Sequence, residues 1–544
     1  MSASPVEDPP GYPREWEADV LLTDGGTAHL RPIRASDAAR MVAFYERVSP
    51  ESKYLRFFAP YPKLTERDVR RFTEVDYVDR VALIVTLGEE MIAVGRYDRT
   101  QDGEAEVAFL IEDAHQGRGI GQLLLEHLAE AARERGITRF VAEVLPQNRR
   151  MAQVFSDAGY RMSKGIEDGV LNVEFPILPT DTSVGVMERR EHRAERTSVE
   201  RLLTPQRIAV YGTGDRVQGL VNAILRGGYQ GDVVAVCSDG CDAVGVTSVP
   251  TLAAISDRLD LALVSVATAA DLGEVVIDVA HKGAHGILVL TGNNVRPGDN
   301  HTVVNLARAY GIRALGPDAL GLINTAVELN ATPGPMPRRG GVGLFCQSAA
   351  VGVAVLNHAV RSDLGVSSFI STGDYADVTA NDVMQYWEDD AATRVCLLSL
   401  DSIGNPRKFS RITRRLTRRK PVVVFDPGRT SRASHSGVRG GLGHAPDEAI
   451  DALFRQAGVM VVHRRSAMID IARIAARQPL PSGPRVGIVS NSVTLAAQMT
   501  QTVEAVGLLC DPAPVLLSST AGPAAFADAA RTALADPAYD SVVC

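Results

Sequence analysis

Long apolar runs, aromatic side chains and cysteines are all scarce in this sequence. Aromatic residues make up 5% of the 544 residues, and six residues are cysteine. No apolar run reaches about 18 residues, the length that a membrane-spanning helix needs. Thinly spread thiols in a large chain favour a reducing compartment. The acidic, proline-rich start also lacks the basic and apolar regions of a signal peptide. We therefore expect a cytoplasmic protein without a membrane partner.

The charge balance is acidic, with 65 aspartates and glutamates against 57 lysines and arginines, giving a formal net charge of -8. An acidic chain is a poor general ligand for nucleic acid. Residues 407–420 are strongly basic, but their apolar residues recur at helical spacing. This pattern predicts a helix with a solvated basic face, and we expect no nucleic-acid partner.

A chain of 544 residues is too long for one hydrophobic core, so several domains are expected. Residues 1–24 are acidic and proline-rich, which predicts a disordered tail. Residues 25–178 alternate between strand and helix patterns and form the first predicted domain. Residues 179–204 are charged and poor in large apolar side chains, which predicts a linker, partly helical.

Short β-branched runs, each followed by a small-residue turn and a helical pattern, recur from residue 205 onward. This rhythm predicts parallel sheets covered by helices on both faces. Proline- and glycine-rich segments divide this part into predicted domains at 205–330, 338–480 and 484–544. The last domain ends on an apolar, strand-like run, so it is predicted to be incomplete, with a native chain that continues.

A glycine-rich segment, QGRGIG, joins the apolar run EVAFLIE to a long amphipathic helix pattern. Small residues let a ligand approach the backbone, and the amides at a helix start attract anions, often phosphate. The segment therefore predicts a diphosphate site, although a turn that merely joins a strand to a helix has the same pattern. The predicted contacts are Gln116, Gly117, Arg118, Gly119, Ile120 and Gly121.

Three separated segments support a more specific interpretation. LRPIRASD comes first, QGRGIG second, and Asn148 third, followed by a helix that ends in Gly159-Tyr160. Over roughly residues 27–177 this order resembles the GNAT superfamily of N-acetyltransferases. The resemblance implies a GNAT fold, a mixed sheet with helices, in which the QGRGIG loop holds the diphosphate of acetyl-CoA. It also implies that Asn148 belongs to the cofactor site.

The same resemblance implies that an amine attacks the thioester directly. An alkylammonium has a pKa near 10.4 and must lose a proton first, so a carboxylate near the splayed strands serves as base. Glu106 is the predicted base, and Glu104 on the same strand face is the reserve. The alternative for Glu106 is a solvated carboxylate without a catalytic role. A backbone amide at Leu110 or Ile111 is predicted to hold the oxyanion.

Phe155 occupies the position where many members of this superfamily carry a tyrosine that acts as general acid. Three alternatives remain for the leaving thiolate: protonation by Tyr160, protonation by solvent, or departure without an acid. The last is reasonable because a thiol with a pKa near 8.5 leaves adequately as a thiolate. Arg118 and Arg149 are predicted to meet CoA phosphates, or else to be solvated.

Residues 205–480 resemble the CoA-binding and ligase segments of ADP-forming acyl-CoA synthetases, which are related to succinyl-CoA synthetase. The resemblance rests on IAVYGTG, YGIRALGPDALGLIN, CQSAAVG, LDSIGNPRKF and ASHSG. It implies an α/β multidomain chain, with a Rossmann-like CoA-binding domain followed by flavodoxin-like domains of the succinyl-CoA synthetase type. Gly212 and Gly214 are predicted to bind CoA or acyl-CoA. The alternative ligand is NAD, since Asp239 stands where a ribose-binding acid belongs.

Ligases of this family pass a phosphoryl group through a histidine that a carboxylate orients. His435 in ASHSG matches that histidine, and Asp401 matches the usual glutamate position. The sequence departs from the family at Asp318 and Ala349, and no nucleotide-binding ATP-grasp domain is recognisable. His435 and Asp401 are therefore vestigial or active, and continuation past Cys544 into an ATP-grasp domain stays open.

A GNAT domain joined to a synthetase-like region resembles the bacterial Pat-type protein lysine acetyltransferases. That resemblance implies transfer of acetyl from acetyl-CoA to lysines of proteins such as acyl-CoA synthetases. It also implies that the synthetase-like region senses acyl-CoA, with a second CoA or acyl-CoA as effector and a homo-oligomer as a possible state.

Two other activities remain as alternatives. One is acetylation of small-molecule amines, and the other is that of an ADP-forming acyl-CoA ligase subunit with a phosphohistidine. No metal is predicted, because His281 and His285, although spaced as helical ligands, have no evident third ligand.

Overall fold

The computed structural model describes residues 8–167, 169–237, 239, 242–266, 272–290, 299–373, 377–426, 446–510 and 512–544. The chain divides into two compact units, Met1–Ala472 and Arg473–Cys544. Within the described ranges, no helix combines the length and the apolar character needed to cross a bilayer.

A mixed sheet forms the N-terminal domain, defined here as residues 8–178, and eight strands of it are described. The strands are β1 (Ala18–Leu21), β2 (Thr27–Pro32), β3 (Arg80–Leu87), β4 (Glu90–Gln101), β5 (Glu104–Ile111), β6 (Arg139–Val144), β7 (Ser163–Glu167) and β8 (Val170–Pro176). The helices are α1 (Ala38–Arg47), α2 (Pro50–Phe57), α3 (Glu66–Thr73), α4 (Ile120–Glu134) and α5 (Arg149–Asp157). The strand order is β1-β2-β3-β4-β5-β6-β8-β7, and neighbours are antiparallel except for β5 and β6.

Local sequence explains why these elements form. The strand β3 reads RVALIVTL and is buried over six consecutive positions, as expected for a strand covered on both faces. The helix α4 buries an apolar face that includes Leu124, Leu125 and Leu128. Ser49 begins α2 by accepting a hydrogen bond from the Ser52 N–H at 3.1 Å. The core of the domain therefore lies between the sheet and its helices.

The expectation of a disordered tail is wrong for residues 8–24, which have defined structure. The strand β1 lies in this segment and pairs antiparallel with β2. Trp16 is buried, and its indole N–H donates to Glu134 at 2.8 Å. Composition alone misses this order, because the partners of these residues lie elsewhere in the chain.

The predicted linker is one continuous helix, α6 (Asp181–Leu203). The side chain of Thr180 caps it by accepting from the Ser183 N–H at 3.1 Å. Toward its C-terminal end the helix buries Val199 and Leu202. This helix is therefore part of the packed structure, and its polar composition does not make it a solvated tether.

A parallel sheet forms the middle domain, residues 205–320. Its strands are β9 (Arg207–Gly212), β10 (Asp232–Cys237), β11 (Thr247–Val249), β12 (Leu261–Ser265), β13 (Gly286–Val289) and β14 (Arg313–Leu315). Its described helices are α7 (Gly214–Gly227), α8 (Leu272–His281) and α9 (Asp299–Ala309). The strand order is β11-β10-β9-β12-β13-β14, with every neighbour parallel, as the recurring apolar runs predict.

A third sheet forms the next domain, residues 321–472. Its strands are β15 (Gly321–Asn324), β16 (Leu329–Ala331), β17 (Arg339–Cys346), β18 (Val366–Ser371), β19 (Val395–Ser399), β20 (Val422–Phe425) and β21 (Met460–Val462). The described helices are α10 (Ala349–Arg361), α11 (Ala380–Asp389), α12 (Pro406–Thr417), α13 (Asp447–Gln456) and α14 (Arg465–Arg477). The strand order is β16-β15-β18-β17-β19-β20-β21.

The domain boundary expected between residues 330 and 338 lies earlier in the structure. The strand β15 pairs antiparallel with β18, so the chain joins the third sheet from Gly321 onward. An apolar run such as GLIN gives no sign of which sheet it will join, and this is why the pattern misplaced the boundary.

The basic segment at 407–420 forms α12, and its charges are not simply solvated. Arg411 donates to Glu188 at 2.8 Å and to Glu191 at 2.7 Å, both on α6. Arg415 of α12 donates to Glu388 at 2.6 Å. The basic face therefore pairs with acidic side chains of this chain, contrary to the expected solvated face.

The C-terminal unit is described by itself. Its strands are β22 (Val486–Ser490), β23 (Val515–Leu516) and β24 (Ser541–Val543), and its helices are α15 (Val493–Ala505) and α16 (Pro523–Ala535). The three strands are parallel in the order β23-β22-β24. Arg485 and Asp540 join its two ends through an ion pair at 3.0 Å.

Candidate active site

The parallel pairing of β5 and β6 covers three residue pairs and ends at Glu106 and Val141. Beyond that pair the strands separate, and a cleft of about 1230 Å³ opens between them. The ends of both strands, the helix α2, the loop before α4 and the start of α5 line this cleft. The fork therefore exposes one edge of the β5 backbone to a ligand.

The amides of β5 point alternately toward β4 and toward the cleft. The Glu112 N–H donates to the Ile92 carbonyl on the β4 side at 3.0 Å, so the Leu110 amide, two residues earlier, faces that side as well. Ile111 faces the other side, where its carbonyl accepts from Gln116 Nε2 at 3.2 Å. Of the two predicted oxyanion donors, Ile111 fits and Leu110 does not.

The loop before α4 presents a row of backbone amides. Gly119 immediately precedes this 15-residue helix. In the described part of the chain, the amides of residues 117–122 have no backbone acceptor. Free N–H groups at a helix start, together with the helix dipole, are the donors that a diphosphate requires. This observation fits the sequence prediction for Gly117, Gly119, Ile120 and Gly121.

Gln116 and Asp113 fix this loop to α2 and β5. Gln116 Nε2 donates to Ser52 Oγ at 3.2 Å as well as to the Ile111 carbonyl. The Asp113 carboxylate accepts from the Ser49 N–H and from the hydroxyls of Ser49 and Ser52, each at 2.8 Å. The backbone N–H of Gln116 donates to the Asp113 carbonyl at 3.3 Å. Gln116 therefore braces the loop through both its side chain and its backbone.

The structure differs from the prediction for the Arg118 side chain, which does not line the cleft. Arg118 Nε donates to Asp24 Oδ2 at 2.8 Å, and its Nη1 lies 2.9 Å from His115 Nδ1. Burial, and then the charge of Arg118, lowers the pKa of His115. The imidazole is therefore neutral at pH 7 and accepts from the guanidinium.

Asn148 sets the start of α5. Its Oδ1 accepts from the Met151 N–H at 3.1 Å, which caps the helix. Asn148 lines the cleft together with Arg149 and Arg150, and Arg150 also donates to Gln116 Oε1. The predicted cofactor residue Asn148 thus lies at the cleft, and the structure shows it as a helix cap.

Glu106 is an exposed carboxylate at the base of the fork, and it lines the cleft together with Arg56 of α2. Burial lowers the pKa of Arg56, while the negative charge of Glu106 acts in the opposite direction. Glu106 and Arg56 are therefore oppositely charged neighbours in one cleft. A carboxylate in this position can accept a proton from an amine that enters the fork.

Glu104, the reserve base, is already engaged by its neighbours. Thr100 Oγ1 donates to it at 2.9 Å, and Arg139 Nη2 lies 2.6 Å from its carboxylate. The hydrogen bond from Thr100 and the charge of Arg139 lower the pKa of Glu104 despite some burial. Glu104 is absent from the cleft lining among the described residues, so Glu106 is the better placed base.

Phe155 and Tyr160, the aromatic residues that bear on protonation of the leaving thiolate, lie in different positions relative to the cleft. Phe155 lines the cleft and is buried, with its ring 5.4 Å from that of Phe175. Tyr160 stacks on Phe175 at 5.5 Å, and burial raises the pKa of its hydroxyl. Since Tyr160 is not among the described cleft residues, the structure favours departure of the thiolate without a protein acid.

In the middle domain, a carboxylate of the chain itself accepts a hydrogen bond from the first residue of α7. The Gly214 N–H donates to Asp239 Oδ2 at 2.9 Å. Gly212 lies at the end of β9, where a Cβ would fall 2.2 Å from the Ser265 carbonyl oxygen. Gly212 therefore has a packing reason to be glycine. The Gly214 N–H therefore has an acceptor within the chain, and the CoA contact of Gly214 and the ribose-binding alternative for Asp239 stay predictions.

The ligase-type residues of the third domain are described in part. Asp401 follows β19, and the amides of Asp401 and Ser402 both donate to Gln347 Oε1, the second at 2.8 Å. Gln347 Nε2 returns a hydrogen bond to the Ser402 carbonyl at 3.0 Å. His435 lies outside the described residues, so its relation to Asp401 stays a prediction.

Sequence patterns missed Arg56 and Asp24. The Ser-Pro-Glu segment at 49–51 is a helix-start signal and marks α2, which carries Arg56. It does not reveal that this helix lies against β5. Asp24 stands in an Asp-Gly-Gly turn, a hairpin signal, but its partner Arg118 is 94 residues away.

Comparison with known families agrees with this architecture. Residues 41–160 match the acetyltransferase (GNAT) family, and residues 339–475 match the succinyl-CoA ligase like flavodoxin domain. The chain therefore contains an N-acetyltransferase domain of the GNAT family joined to a succinyl-CoA ligase-like region. The predicted α/β multidomain fold is confirmed.

Individual relatives match one part or the other. The alpha subunit of ADP-forming acetate–CoA ligase II from Pyrococcus furiosus is 30% identical over 301 residues, 53% of this chain and 65% of that protein. Acetyltransferase Pat from Mycolicibacterium smegmatis is 34% identical over 168 residues, 30% of this chain and 50% of that protein. The crystal structure of the GNAT domain of S. lividans PAT is 60% identical, covers 30% of this chain and 99% of that one, and has a TM-score of 0.30. The chain thus spans half to two thirds of the length of these two curated relatives.

Proposed function

We propose that the N-terminal domain transfers the acetyl group of acetyl-CoA to the lysine side chains of proteins. One observation carries the proposal: Glu106 and the loop with the free amides of residues 117–122 belong to a single cleft at the fork of β5 and β6. The amides supply the diphosphate site, and the carboxylate supplies a base at the place where the thioester would lie. A binding site and a proton acceptor in one open cleft are what direct aminolysis needs.

The proposed step is a single acyl transfer. The amine nitrogen forms a bond to the acetyl carbon, the carbon–sulfur bond breaks, and CoA leaves as the thiolate. The ammonium form of the acceptor first gives one proton to Glu106, which releases it to solvent, and the nitrogen loses a second proton to solvent as the amide forms. The Ile111 N–H, which faces the cleft, stabilises the negative charge that develops on the acetyl oxygen. Solvent protonates the thiolate, since Tyr160 is stacked on Phe175.

We further propose that acyl-CoA synthetases are the acceptor proteins and that the synthetase-like region senses acyl-CoA as an effector. The resemblance of the sequence to Pat-type protein lysine acetyltransferases supports a protein acceptor. The similarity to an acetate–CoA ligase supports recognition of a CoA compound by the second region. The helix α6 packs against both parts and gives them a physical connection, since Arg190 binds Glu126 and Arg411 binds Glu191. Binding at one site can influence the other only through such contacts.

The test is acetyl transfer by the full chain from labelled acetyl-CoA. The acceptors are a panel of purified acyl-CoA synthetases and, separately, polyamines. We expect label on synthetase lysines, and Glu106→Gln should lower kcat about 100-fold or more with little change in acetyl-CoA binding. Glu104→Gln is the matched control and should stay within about threefold of the unmodified chain.

Each outcome separates the candidate functions. Label on polyamines alone supports a small-molecule acetyltransferase. Transfer that Glu106→Gln leaves unchanged removes Glu106 as base, and loss of transfer in Glu104→Gln alone assigns that role to Glu104. No transfer to any amine contradicts the proposal.

An ADP-forming acyl-CoA ligase activity is a second candidate, which the similarity to the acetate–CoA ligase subunit favours. The test supplies a nucleotide-binding partner subunit, labelled ATP and the full chain. Label that is lost in His435→Ala supports an active phosphohistidine. Absence of label, with normal acetyl transfer, supports the sensor role.

A further inference from the structure

The turn between β1 and β2, Leu22–Gly26, lies directly against residues 116–121, which are named the acetyl-CoA loop after their proposed ligand. The Thr23 N–H donates to the Arg118 carbonyl at 3.1 Å, and the Asp24 carboxylate accepts from Arg118 Nε at 2.8 Å. The loop residue Arg118 is therefore held at both its backbone and its side chain by one short turn.

Packing at Gly119 makes this contact tight. A Cβ at Gly119 would lie 2.7 Å from Thr23 Cγ2, closer than carbon atoms approach in folded proteins. Gly119 immediately precedes α4 and lies within the row of free amides at residues 117–122, so the turn packs against that row. A shift of the turn would therefore change how these amides are aimed.

The other side of the turn rests on α6. Gly25 has φ +83°, and a Cβ there would lie 2.8 Å from the backbone of Ser198. Only glycine adopts that conformation freely and leaves room for the helix. The turn is thus in direct backbone contact with the helix that joins the two parts of the chain.

The middle domain binds Thr27, the first residue after the turn, and contacts Gly26. The Thr27 N–H donates to the Gly311 carbonyl at 3.3 Å, and Thr27 Oγ1 donates to the Arg308 carbonyl at 3.0 Å. Gly26 also lies close to the Gly311 carbonyl oxygen, which would be 3.3 Å from its Cβ position. One turn of five residues therefore touches the acetyl-CoA loop, α6 and the connection between α9 and β14.

Asp24 is charged in this environment. Burial on its own raises the pKa of Asp24, but the hydrogen bond and the charge of Arg118 outweigh burial, so the pKa lies below its ordinary value. The contact with Arg118 is therefore a charge-assisted hydrogen bond at neutral pH, stronger than a neutral one.

We infer that Asp24 is a positioning residue for acetyl-CoA: through Arg118 it fixes the acetyl-CoA loop to a turn that is seated on α6 and the middle domain. This inference rests on the proposed acetyl transfer and names how the same site is aligned. It assigns the Arg118 side chain to loop alignment, in place of a contact with a CoA phosphate.

Asp24→Asn in the full chain tests the inference. The loop binds the diphosphate equally in the ground state and the transition state, so its misalignment should raise the KM for acetyl-CoA about tenfold and change kcat less than about twofold. Removing a negative charge beside an anionic ligand would by itself lower KM. A raised KM therefore shows that the substitution acts through misalignment of the loop and not through loss of the negative charge. Calorimetry with acetyl-CoA should show a matching loss of affinity in the absence of any acceptor.

Asp79→Asn is the matched control, because Asp79 also pairs with an arginine, Arg99, at 2.6 Å. Neither residue of that pair lines the cleft among the described residues. This control should leave KM unchanged. Asp24→Glu keeps the charge and should give a KM between that of the unmodified chain and Asp24→Asn, which also provides a readout if the asparagine variant does not fold.

The outcomes are distinguishable. An unmodified chain that neither binds acetyl-CoA nor transfers acetyl contradicts the proposed function itself. An active chain in which Asp24→Asn has the same KM and affinity as Asp79→Asn overturns the positioning role alone. A fall in kcat without a change in KM also overturns it.

Discussion

Arg190 of α6 and Glu126 of α4 form a two-point ion pair, with Nε 3.2 Å and Nη2 2.6 Å from the two carboxylate oxygens. Glu126 lies on the helix whose first amides line the candidate active site. Arg190 lies on the helix that also binds α12 of the third domain. The pair therefore joins the acetyltransferase domain to the helix on which the synthetase-like region packs.

Arg190→Ala should destabilise the full chain by about 2 kcal/mol, because it leaves the carboxylate of Glu126 partly buried without its partner. Burial already raises the pKa of Glu126 against the effect of Arg190, so loss of the arginine raises it further. Thermal unfolding followed by circular dichroism measures the change. Arg196→Ala is the control, since Arg196 pairs at 3.3 Å with Glu200, whose side chain is about half exposed. Equal melting temperatures for the two variants would contradict the expectation.

The LRPIRASD segment contains a buried ion pair between Arg31 and Asp37, with Nη1 and Nη2 of the arginine 2.8 and 2.6 Å from the carboxylate. Asp37→Asn should cost about 3 kcal/mol or more, since Arg31 stays buried without a counter-charge. Calorimetric unfolding of the variant measures this. A loss below about 1 kcal/mol, comparable to Asp79→Asn, would show that the pair contributes little.

The same pair predicts a pH dependence. Burial raises the pKa of Asp37, but the hydrogen bonds and charge of Arg31 outweigh it and lower the pKa below its ordinary value. The pair therefore stabilises the fold above the unfolded pKa of about 3.9 and loses this contribution as pH falls through the folded value. The melting temperatures of the unmodified chain and of Asp37→Asn should converge as the pH is lowered through that range.

How far the sequence predicts this site depends on how local each feature is. The sequence predicts the free amides before α4, because QGRGIG lies between a strand and a helix that follow each other in the chain. The sequence does not predict the contact between Arg118 and Asp24, because Asp24 approaches Arg118 only in the folded sheet. The ordered segment around Trp16 was missed for the same reason: composition cannot show a contact with Glu134.

Charge patterns were the least informative part of the sequence. The charged segment 179–204 and the basic segment 407–420 each have the composition of a solvated region. In the structure they become α6 and α12, and their charges neutralise one another. Pairing between two distant segments depends on the tertiary fold and cannot be predicted from the composition of either segment.

Glu195 of α6 gives a further pH prediction. It is 3% exposed and accepts hydrogen bonds from Gln385 and Lys408. Burial and the like charge of Asp382 raise the pKa of Glu195 to about 8. Between the unfolded pKa of about 4.3 and that value, the folded chain keeps a proton that the unfolded chain releases, so stability falls as pH rises.

Glu195→Gln mimics the protonated acid and should flatten this slope between about pH 5 and 8. Melting temperatures across that range, compared with those of the unmodified chain, provide the measurement. Glu191→Gln is the control, because the charge and hydrogen bond of Lys408 lower the pKa of Glu191 despite its burial. An unchanged slope in Glu195→Gln would show that Glu195 is ionised throughout.

Two glycines of the acetyl-CoA loop offer a matched pair of variants. Gly117 and Gly119 have φ of +80° and +81°, so alanine is strained by about 1 kcal/mol at either position. A Cβ at Gly117 meets nothing within 4 Å, whereas one at Gly119 would lie 2.7 Å from Thr23. Gly119→Ala should therefore weaken acetyl-CoA binding more than Gly117→Ala. Calorimetry that finds equal losses would show that backbone strain alone matters.

We propose that the amides at the start of α4 hold the diphosphate of acetyl-CoA while Glu106 faces its acetyl group. A crystal structure of the full chain with acetyl-CoA tests this most directly. We predict diphosphate oxygens within about 3.2 Å of the Gly119, Ile120 and Gly121 nitrogens, with the thioester in the fork between β5 and β6. A diphosphate bound elsewhere, or a thioester beyond reach of Glu106, would contradict the account.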